Sequence, residues 1–140
     1  MTDTYVGAID QGTTGTRFMV FDHDGTVAAN AYEKHEQIYP EPGWVEHDAM
    51  EIWENTKEVV IRALGQAGIE ASQLEAIGVT NQRETTIVWD AETGKPVHNA
   101  IVWQDRRTTD RVEELQEEDK VEWIREKTGL EADAYFSATK

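Results

Sequence analysis

The chain has 140 residues and no cysteine, which is enough for one folded domain and excludes a disulfide framework or a thiolate zinc site. Its 28 acidic residues outnumber its 13 basic ones and give a net charge of −15, so nucleic acid is an unfavourable partner. No apolar run approaches the length of a membrane span and no signal-peptide pattern opens the chain, so we expect a cytoplasmic protein without a membrane partner.

The excess of acidic residues has two interpretations. High net charge can prevent folding, but five Trp, four Tyr and three Phe favour a folded chain. A folded acidic surface repels itself, and salt screens that repulsion, because the Debye length falls to about 3 Å at 1 M. We interpret the charge as an adaptation to a salty cytoplasm, and the alternative is an acidic protein without that adaptation.

The first predicted element is a β-hairpin. The apolar runs Tyr5–Ile9 and Phe18–Phe21 flank a turn that contains Gly12 and Gly15. Glycine reaches backbone conformations that are closed to most residues and lets an anion approach closely. Successive amides in such a turn form a concave anion site. Three hydroxyl groups add donors, those of Thr13, Thr14 and Thr16.

Asp10 stands at the mouth of this turn. A carboxylate beside a phosphate is repelled unless a cation such as Mg²⁺ lies between them. The hairpin therefore indicates a phosphate-binding loop with a metal-orienting aspartate, and the alternative is an ordinary tight turn with Thr on its rim. It is neither a Walker loop nor a dinucleotide fingerprint, because no Gly-Lys-Ser/Thr and no helix follow. It resembles the first phosphate loop of the actin, Hsp70 and sugar-kinase superfamily.

The next signals are a tight turn at Asp22–Gly25 and a third strand at Val27–Tyr32. We expect His23 in that turn to be solvated rather than a metal ligand. Residues 36–47 are predicted to form a loop that packs on the domain. Its apolar side chains are Tyr39, Trp44 and Val45.

A helix follows this loop. Asp48 and Glu51 predict a capping box at its start. Apolar residues at helical spacing predict a core-facing helix that ends at Gly65 or Gly68. The helix is a plausible crossover to a parallel strand at Ala76–Thr80.

The second half of the chain predicts further sheet and two helices. Thr85–Trp89 is predicted to be a strand, and Ile101–Trp103 a short buried run. Helices are predicted from about Asp105 to Glu117, with a solvated acidic end, and from Val121 to Lys127. The whole pattern is α/β with mixed strand directions.

A candidate substrate site follows the Ala76–Thr80 strand. Arg83 and Glu84 stand at a strand end, where ligands of open α/β sheets collect. Alone the pair means little, since exposed ion pairs contribute about 0–1 kcal/mol. A polyol, however, requires donors and acceptors matched to its hydroxyl groups, and Arg supplies donors while Glu supplies acceptors. Trp103 offers an apolar wall, and Tyr135 offers a hydroxyl on an aromatic ring.

Five segments together resemble the glycerol kinase family over essentially the whole chain. They are Asp10–Thr14 with Arg17, Pro42–Asp48, Asn81–Thr86, Ile101–Gln104 and Tyr135–Lys140. The run Asn-Gln-Arg-Glu-Thr is the most specific, because related pentulose kinases carry other residues there. With the acidic composition, the resemblance is to a member from a halophilic archaeon.

The resemblance implies transfer of the ATP γ-phosphoryl group to glycerol, giving sn-glycerol 3-phosphate, the first step of glycerol catabolism. ATP and Mg²⁺ are the implied cofactors. The implied glycerol contacts are Arg83, Glu84, Trp103 and Tyr135. The implied ATP contacts are Asp10, Gly12, Thr13, Thr14, Gly15 and Arg17, with Asp10 orienting Mg²⁺ through water. Gly15 stands where bacterial members commonly carry a serine.

The implied fold is α/β, an actin-like (ribonuclease H-like) N-terminal domain whose mixed sheet is flanked by helices. Because family members are several times longer, residues 1–140 are expected to be the truncated N-terminal part of the first domain. The second domain, the adenosine site and the general-base aspartate are then expected beyond Lys140. We expect this fragment alone to be inactive and the full-length enzyme to be a homo-oligomer.

Two other functions remain open from the sequence. A non-catalytic folded module is favoured by the truncation and disfavoured by the presence of all the binding residues. A kinase for another polyol or sugar would keep the same phosphate loop.

Overall fold

The computed structural model describes residues 3–140, which divide into two compact units. The first unit comprises the residues up to Glu36 together with Asp48–Gln82. The second comprises Gln37–His47 together with Arg83–Lys140. The strands are β1 Tyr5–Gln11, β2 Gly15–Phe21, β3 Val27–Lys34, β4 Glu46–His47, β5 Leu74–Thr80 and β6 Ala100–Ile101. The helices are α1 Ala49–Ala67, α2 Thr109–Glu117 and α3 Val121–Thr128, with 3-10 turns at Ala71–Gln73 and Ser137–Thr139.

The sheet of the first unit has four strands in the order β3-β2-β1-β5. β1 and β2 form the predicted antiparallel hairpin, and β3 pairs antiparallel with β2. β5 pairs parallel with β1, so α1 is the crossover between strands of one sheet. The predicted mixed sheet and crossover helix are therefore confirmed.

The core of the first unit lies between this sheet and α1, which packs on β2 and β3. Alternate side chains of β2 point to the helix, and four core residues are fully buried: Phe18, Val20, Val59 and Ala63. Gly7 in β1 leaves room for the Phe18 ring, because a Cβ atom at position 7 would lie 2.7 Å from Cζ of that ring.

The ends of α1 follow the predicted capping signals with one change. The Asp48 carboxylate accepts from the amides of Met50 at 2.7 Å and Glu51 at 3.4 Å, which is an N-cap. Gly68 ends the helix in the left-handed conformation, with φ of 64°. The Glu51 carboxylate accepts from the Glu36 amide at 3.1 Å. The predicted capping box is thus replaced by a contact that ties the helix to the end of β3.

The predicted strand Thr85–Trp89 is wrong. Only two isolated bridges form there, Thr86 with Ile101 and Trp89 with Pro96. Val88 and Trp89 are exposed, so their strand propensity gains little from packing.

The first helix of the second unit begins later than predicted. α2 starts at Thr109 rather than near Asp105, because the Asp105 carboxylate accepts from the amides of Arg107 and Val45. α3 agrees with its prediction and ends at Gly129, which has a φ of 74°.

The predicted loop 36–47 contains structure that the sequence did not reveal. β4 pairs antiparallel with β6, and Ile38 bridges Glu46. Trp44 and Val45 are half-buried as predicted, whereas Tyr39 is 67% exposed and does not pack. Within residues 3–140, none of the helices has the length and apolar character that crossing a membrane requires.

Candidate functional site

The turn between β1 and β2 is closed by a hydrogen bond of 3.0 Å from the Gly12 amide to the Gly15 carbonyl. Neither glycine has a positive φ, so the predicted special backbone conformation is wrong for both. Gly15 is required for another reason, because a Cβ atom there would lie 2.3 Å from the Glu33 carbonyl oxygen. The Gly12 amide is used within the turn, so Gly12 contributes the shape of the loop rather than a donor to a ligand.

Side chains from outside the turn hold its carbonyl groups. Gln11 and Gln82 donate to the Gly12 carbonyl from 2.8 and 3.4 Å. The buried His35 ring lies with Nε2 2.8 Å from the Thr13 carbonyl, and since a carbonyl only accepts, Nε2 carries the proton. These contacts engage the carbonyl groups of Gly12 and Thr13. Of the three predicted hydroxyl donors, Thr14 is exposed, whereas Thr16 is fully buried and its hydroxyl is not available to an anion.

A row of polar side chains crosses the sheet beside this turn. Asp10, Arg17 and Tyr32 are direct neighbours on β1, β2 and β3 and share one face of the sheet. The Arg17 guanidinium lies 5.4 Å from the centre of the Tyr32 ring. Asp10, Thr14 and Arg17 are exposed. The row therefore offers a carboxylate and a guanidinium to a ligand at the turn.

In the second unit, Glu84 is held as an ionised acceptor. Its carboxylate accepts from the Ser137 hydroxyl at 2.7 Å and from the Ser137 amide at 3.1 Å. These hydrogen bonds hold the pKa of Glu84 below its usual range. Glu84 has a φ of 62°, a left-handed conformation that costs energy in a residue with a side chain and is common at functional sites.

Two predicted substrate residues contact each other. The Trp103 and Tyr135 rings meet edge to face, with centroids 5.4 Å apart and an angle of 61° between their planes. The Lys140 ammonium donates to the carbonyls of Ala134, Tyr135 and Phe136 and so fixes the segment that carries the tyrosine. Burial lowers the pKa of Lys140.

Arg83 directly precedes Glu84 in the chain and is exposed. Its guanidinium pairs with none of residues 3–140. The structure thus brings Trp103 and Tyr135 into contact and ties Glu84 to the same segment through Ser137. Arg83 is left with its donors available to a ligand.

A buried ionic network supports this part of the second unit. The Arg107 guanidinium donates to Glu46 at 2.7 Å and to Asp105 at 2.9 Å, and it lies 3.8 Å from the centre of the Trp44 ring. Burial alone would raise the pKa of both carboxyl groups, but hydrogen bonds, chiefly from Arg107, lower both. The Asp105 carboxylate also accepts from the Val45 amide at 2.7 Å. The network therefore fixes β4 beside the segment that follows β6 and carries Trp103.

Residues 5–140 match the N-terminal domain of the FGGY family of carbohydrate kinases. The chain belongs to this family. Over its whole length it is 84% identical to a glycerol kinase of Haloarcula marismortui and 82% identical to one of Haloquadratum walsbyi, and it spans 28% of the length of each. It superposes on the crystal structure of Plasmodium falciparum glycerol kinase with ADP with a TM-score of 0.88 at 37% identity, over 98% of this chain and 28% of that one.

These comparisons confirm the predicted resemblance and the actin-like kinase fold. The similar archaeal proteins are from halophiles, which agrees with the interpretation of the net charge. FGGY kinases typically use a divalent metal. Residues 3–140 contain no group of three or more His, Cys, Asp or Glu side chains placed to hold a metal. Asp10 is exposed beside the turn and can contribute a single carboxylate. A single carboxylate is sufficient for an ion that keeps several waters and is bound largely by substrate phosphates.

The sequence did not reveal two supporting residues, His35 at the turn between β1 and β2 and Ser137 at Glu84. His35 lies 22 positions from the carbonyl it holds, and no local pattern links the two. Ser137 lies within a segment that resembles the glycerol kinase family, but its contact with Glu84 spans 53 positions. The resemblance points to such residues without stating what they do.

Proposed function

We propose that this chain is the N-terminal part of the first actin-like domain of a glycerol kinase, which transfers the γ-phosphoryl group of ATP to glycerol and gives sn-glycerol 3-phosphate. The observation that carries the proposal is Glu84, whose carboxylate is held by Ser137 and which directly follows Arg83, whose guanidinium has no ion-pair partner among residues 3–140. The proposal is supported by the 84% identity to a protein named glycerol kinase.

In this proposal the second unit supplies the substrate contacts. Glu84 accepts from one glycerol hydroxyl group and Arg83 donates to another, which matches the donor and acceptor character of a polyol. The edge-to-face pair of Trp103 and Tyr135 packs on the carbon chain, and the tyrosine hydroxyl adds one more polar contact.

The first unit supplies the nucleotide contacts. The hydroxyl groups of Thr13 and Thr14 and the backbone at Gly15 bind phosphate oxygens, and Arg17 adds positive charge. Asp10 orients Mg²⁺ through water. The bound ion would supply charge neutralisation, which together with positioning provides most of the rate in phosphoryl transfer.

The resemblance assigns the general base to an aspartate that corresponds to none of residues 1–140. We therefore expect the 140-residue chain alone to give no turnover. A cytoplasmic location and a homo-oligomeric full-length enzyme remain predictions.

The test uses the longer kinase that contains this chain, assayed in concentrated KCl with glycerol, xylulose and gluconate as alternative substrates. We expect the highest kcat/KM with glycerol. Arg83→Ala and Glu84→Gln should each raise the KM for glycerol about 10- to 100-fold, as expected for lost hydrogen bonds to charged groups, with the KM for ATP unchanged.

Arg111→Ala is the matched control, because Arg111 is exposed and its ion pairs are with Glu114 in α2 and Glu118 just after it. A preference for xylulose would overturn the assignment of glycerol. Absence of phosphoryl transfer to any of the three substrates would favour a non-catalytic module.

A further inference from the structure

Tyr32 on β3, which lies opposite Arg17 and diagonal to Gly15, has a position that the function described above does not use. A Cβ atom at Gly15 would lie 2.6 Å from the Tyr32 hydroxyl oxygen and 2.7 Å from Cζ of the same ring. The phenol of Tyr32 therefore occupies the volume that a side chain at position 15 would need.

The hydroxyl of Tyr32 lies at the phosphate loop. Its oxygen is 3.4 Å from the Thr14 hydroxyl oxygen, at the long limit of a hydrogen bond. Tyr32 is 37% exposed. A hydroxyl with so weak an internal partner can donate its proton to an oxygen of a bound phosphate.

The rest of Tyr32 is fixed on both sides. The Tyr32 carbonyl accepts from the Arg62 guanidinium at 2.6 Å, and Arg62 also pairs with Glu33 at 2.9 Å, so α1 anchors this part of β3. On the other face, the Arg17 guanidinium lies over the Tyr32 ring, where the cation is attracted to the aromatic surface. The ring therefore also limits where the Arg17 charge can lie.

We propose that Tyr32 is a phosphate-binding residue of this kinase. Its hydroxyl occupies the space that a side chain at Gly15 would need. From there it donates to a phosphate oxygen of the nucleotide, beside Thr14. Its ring holds Arg17 toward the same phosphates. This inference rests on the proposed function only in that the ligand of the loop is a nucleotide phosphate.

The test is Tyr32→Phe in the longer kinase, because this change removes the hydroxyl and keeps the ring beneath Arg17. We expect the Kd for ADP and the KM for ATP to rise about three- to tenfold, the range for one neutral hydrogen bond. Adenosine, which lacks phosphate, should bind equally to both proteins. The KM for glycerol and the thermal midpoint should not change.

Tyr39→Phe is the matched control, since Tyr39 is exposed in the second unit and should leave all of these quantities unchanged. The inference is overturned if Tyr32→Phe binds ADP within twofold of the unchanged enzyme. It is also overturned if ADP and adenosine binding weaken equally, because the effect would then be structural.

The two proposals fail in different ways. If the unchanged enzyme does not phosphorylate glycerol but Tyr32→Phe selectively weakens ADP binding, the phosphate role stands and the substrate assignment fails. If glycerol is phosphorylated and Tyr32→Phe has no effect on ADP, only the present inference fails.

Discussion

Replacing Arg107 by alanine should destabilise the chain more than replacing an exposed arginine does. Its side chain is 12% exposed, and it neutralises the side chains of Glu46, 5% exposed, and Asp105, fully buried. Removing one partner of a buried ion pair costs about 3–5 kcal/mol, since a buried charge is left without its counterion. Asn99 and the Val45 amide continue to bond the two carboxylates, so we expect about 3 kcal/mol.

The assay is urea unfolding of the 140-residue chain in about 2 M KCl, followed by circular dichroism and Trp fluorescence. Arg111→Ala is the matched control and should cost less than about 0.5 kcal/mol, because that arginine is half exposed. If Arg107→Ala costs less than about 1 kcal/mol, the network does not support the fold and the reasoning is refuted.

The same network predicts an acid limit to stability. The pKa values of Glu46 and Asp105 are lowered in the folded chain, so the folded state binds fewer protons than the unfolded state. Their contribution is complete above the unfolded pKa values of about 4 and is lost as the pH falls through the folded values. The difference in free energy of unfolding between the unchanged chain and Arg107→Ala should therefore become smaller below about pH 4. If that difference does not change with pH, these carboxylates are not its cause.

Two further substitutions test the packing of the first unit by urea unfolding. Gly7→Ala should cost about 1–3 kcal/mol, because the new methyl group meets the buried Phe18 ring; Gly78→Ala, with nothing within 4 Å of its Cβ position, is the control and should cost little. Asp48→Ala should cost about 1 kcal/mol through loss of the N-cap of α1, and an unchanged midpoint would show that Asp48 does not cap in solution.

The sequence predicts the first unit well because its signals are local. Two apolar runs around a Gly/Thr turn predict β1 and β2, and Asp48 with Gly65 or Gly68 marks the two ends of α1 within a few residues. Local signals also carry the candidate site, because Arg83 and Glu84 are adjacent in the chain and are recognised as one run.

The errors lie where distant residues decide the structure. Asp105 reads as the first residue of a helix, but its carboxylate is used by Val45, 60 positions away. Gly15 reads as a residue of unusual backbone conformation, but its role is to leave room for the Glu33 carbonyl and the Tyr32 ring. Such requirements depend on the register of β2 against β3, which sequence periodicity does not specify.

The stability of the chain should rise with salt, because the net charge of −15 repels itself and few acidic side chains are paired. The surface of α2 and α3 shows this most clearly, with four exposed glutamates outside any ion pair among residues 3–140: Glu113, Glu117, Glu122 and Glu126. Changing these four to Gln keeps helix propensity nearly constant and removes four negative charges. Raising KCl from about 0.1 to 2 M should increase the free energy of unfolding less in this variant than in the unchanged chain. NaCl should act as KCl does, since screening depends on ionic strength. Equal stability of the unchanged chain at both salt concentrations would refute the screening argument, and the acidic surface would then require a different explanation, such as a cationic partner.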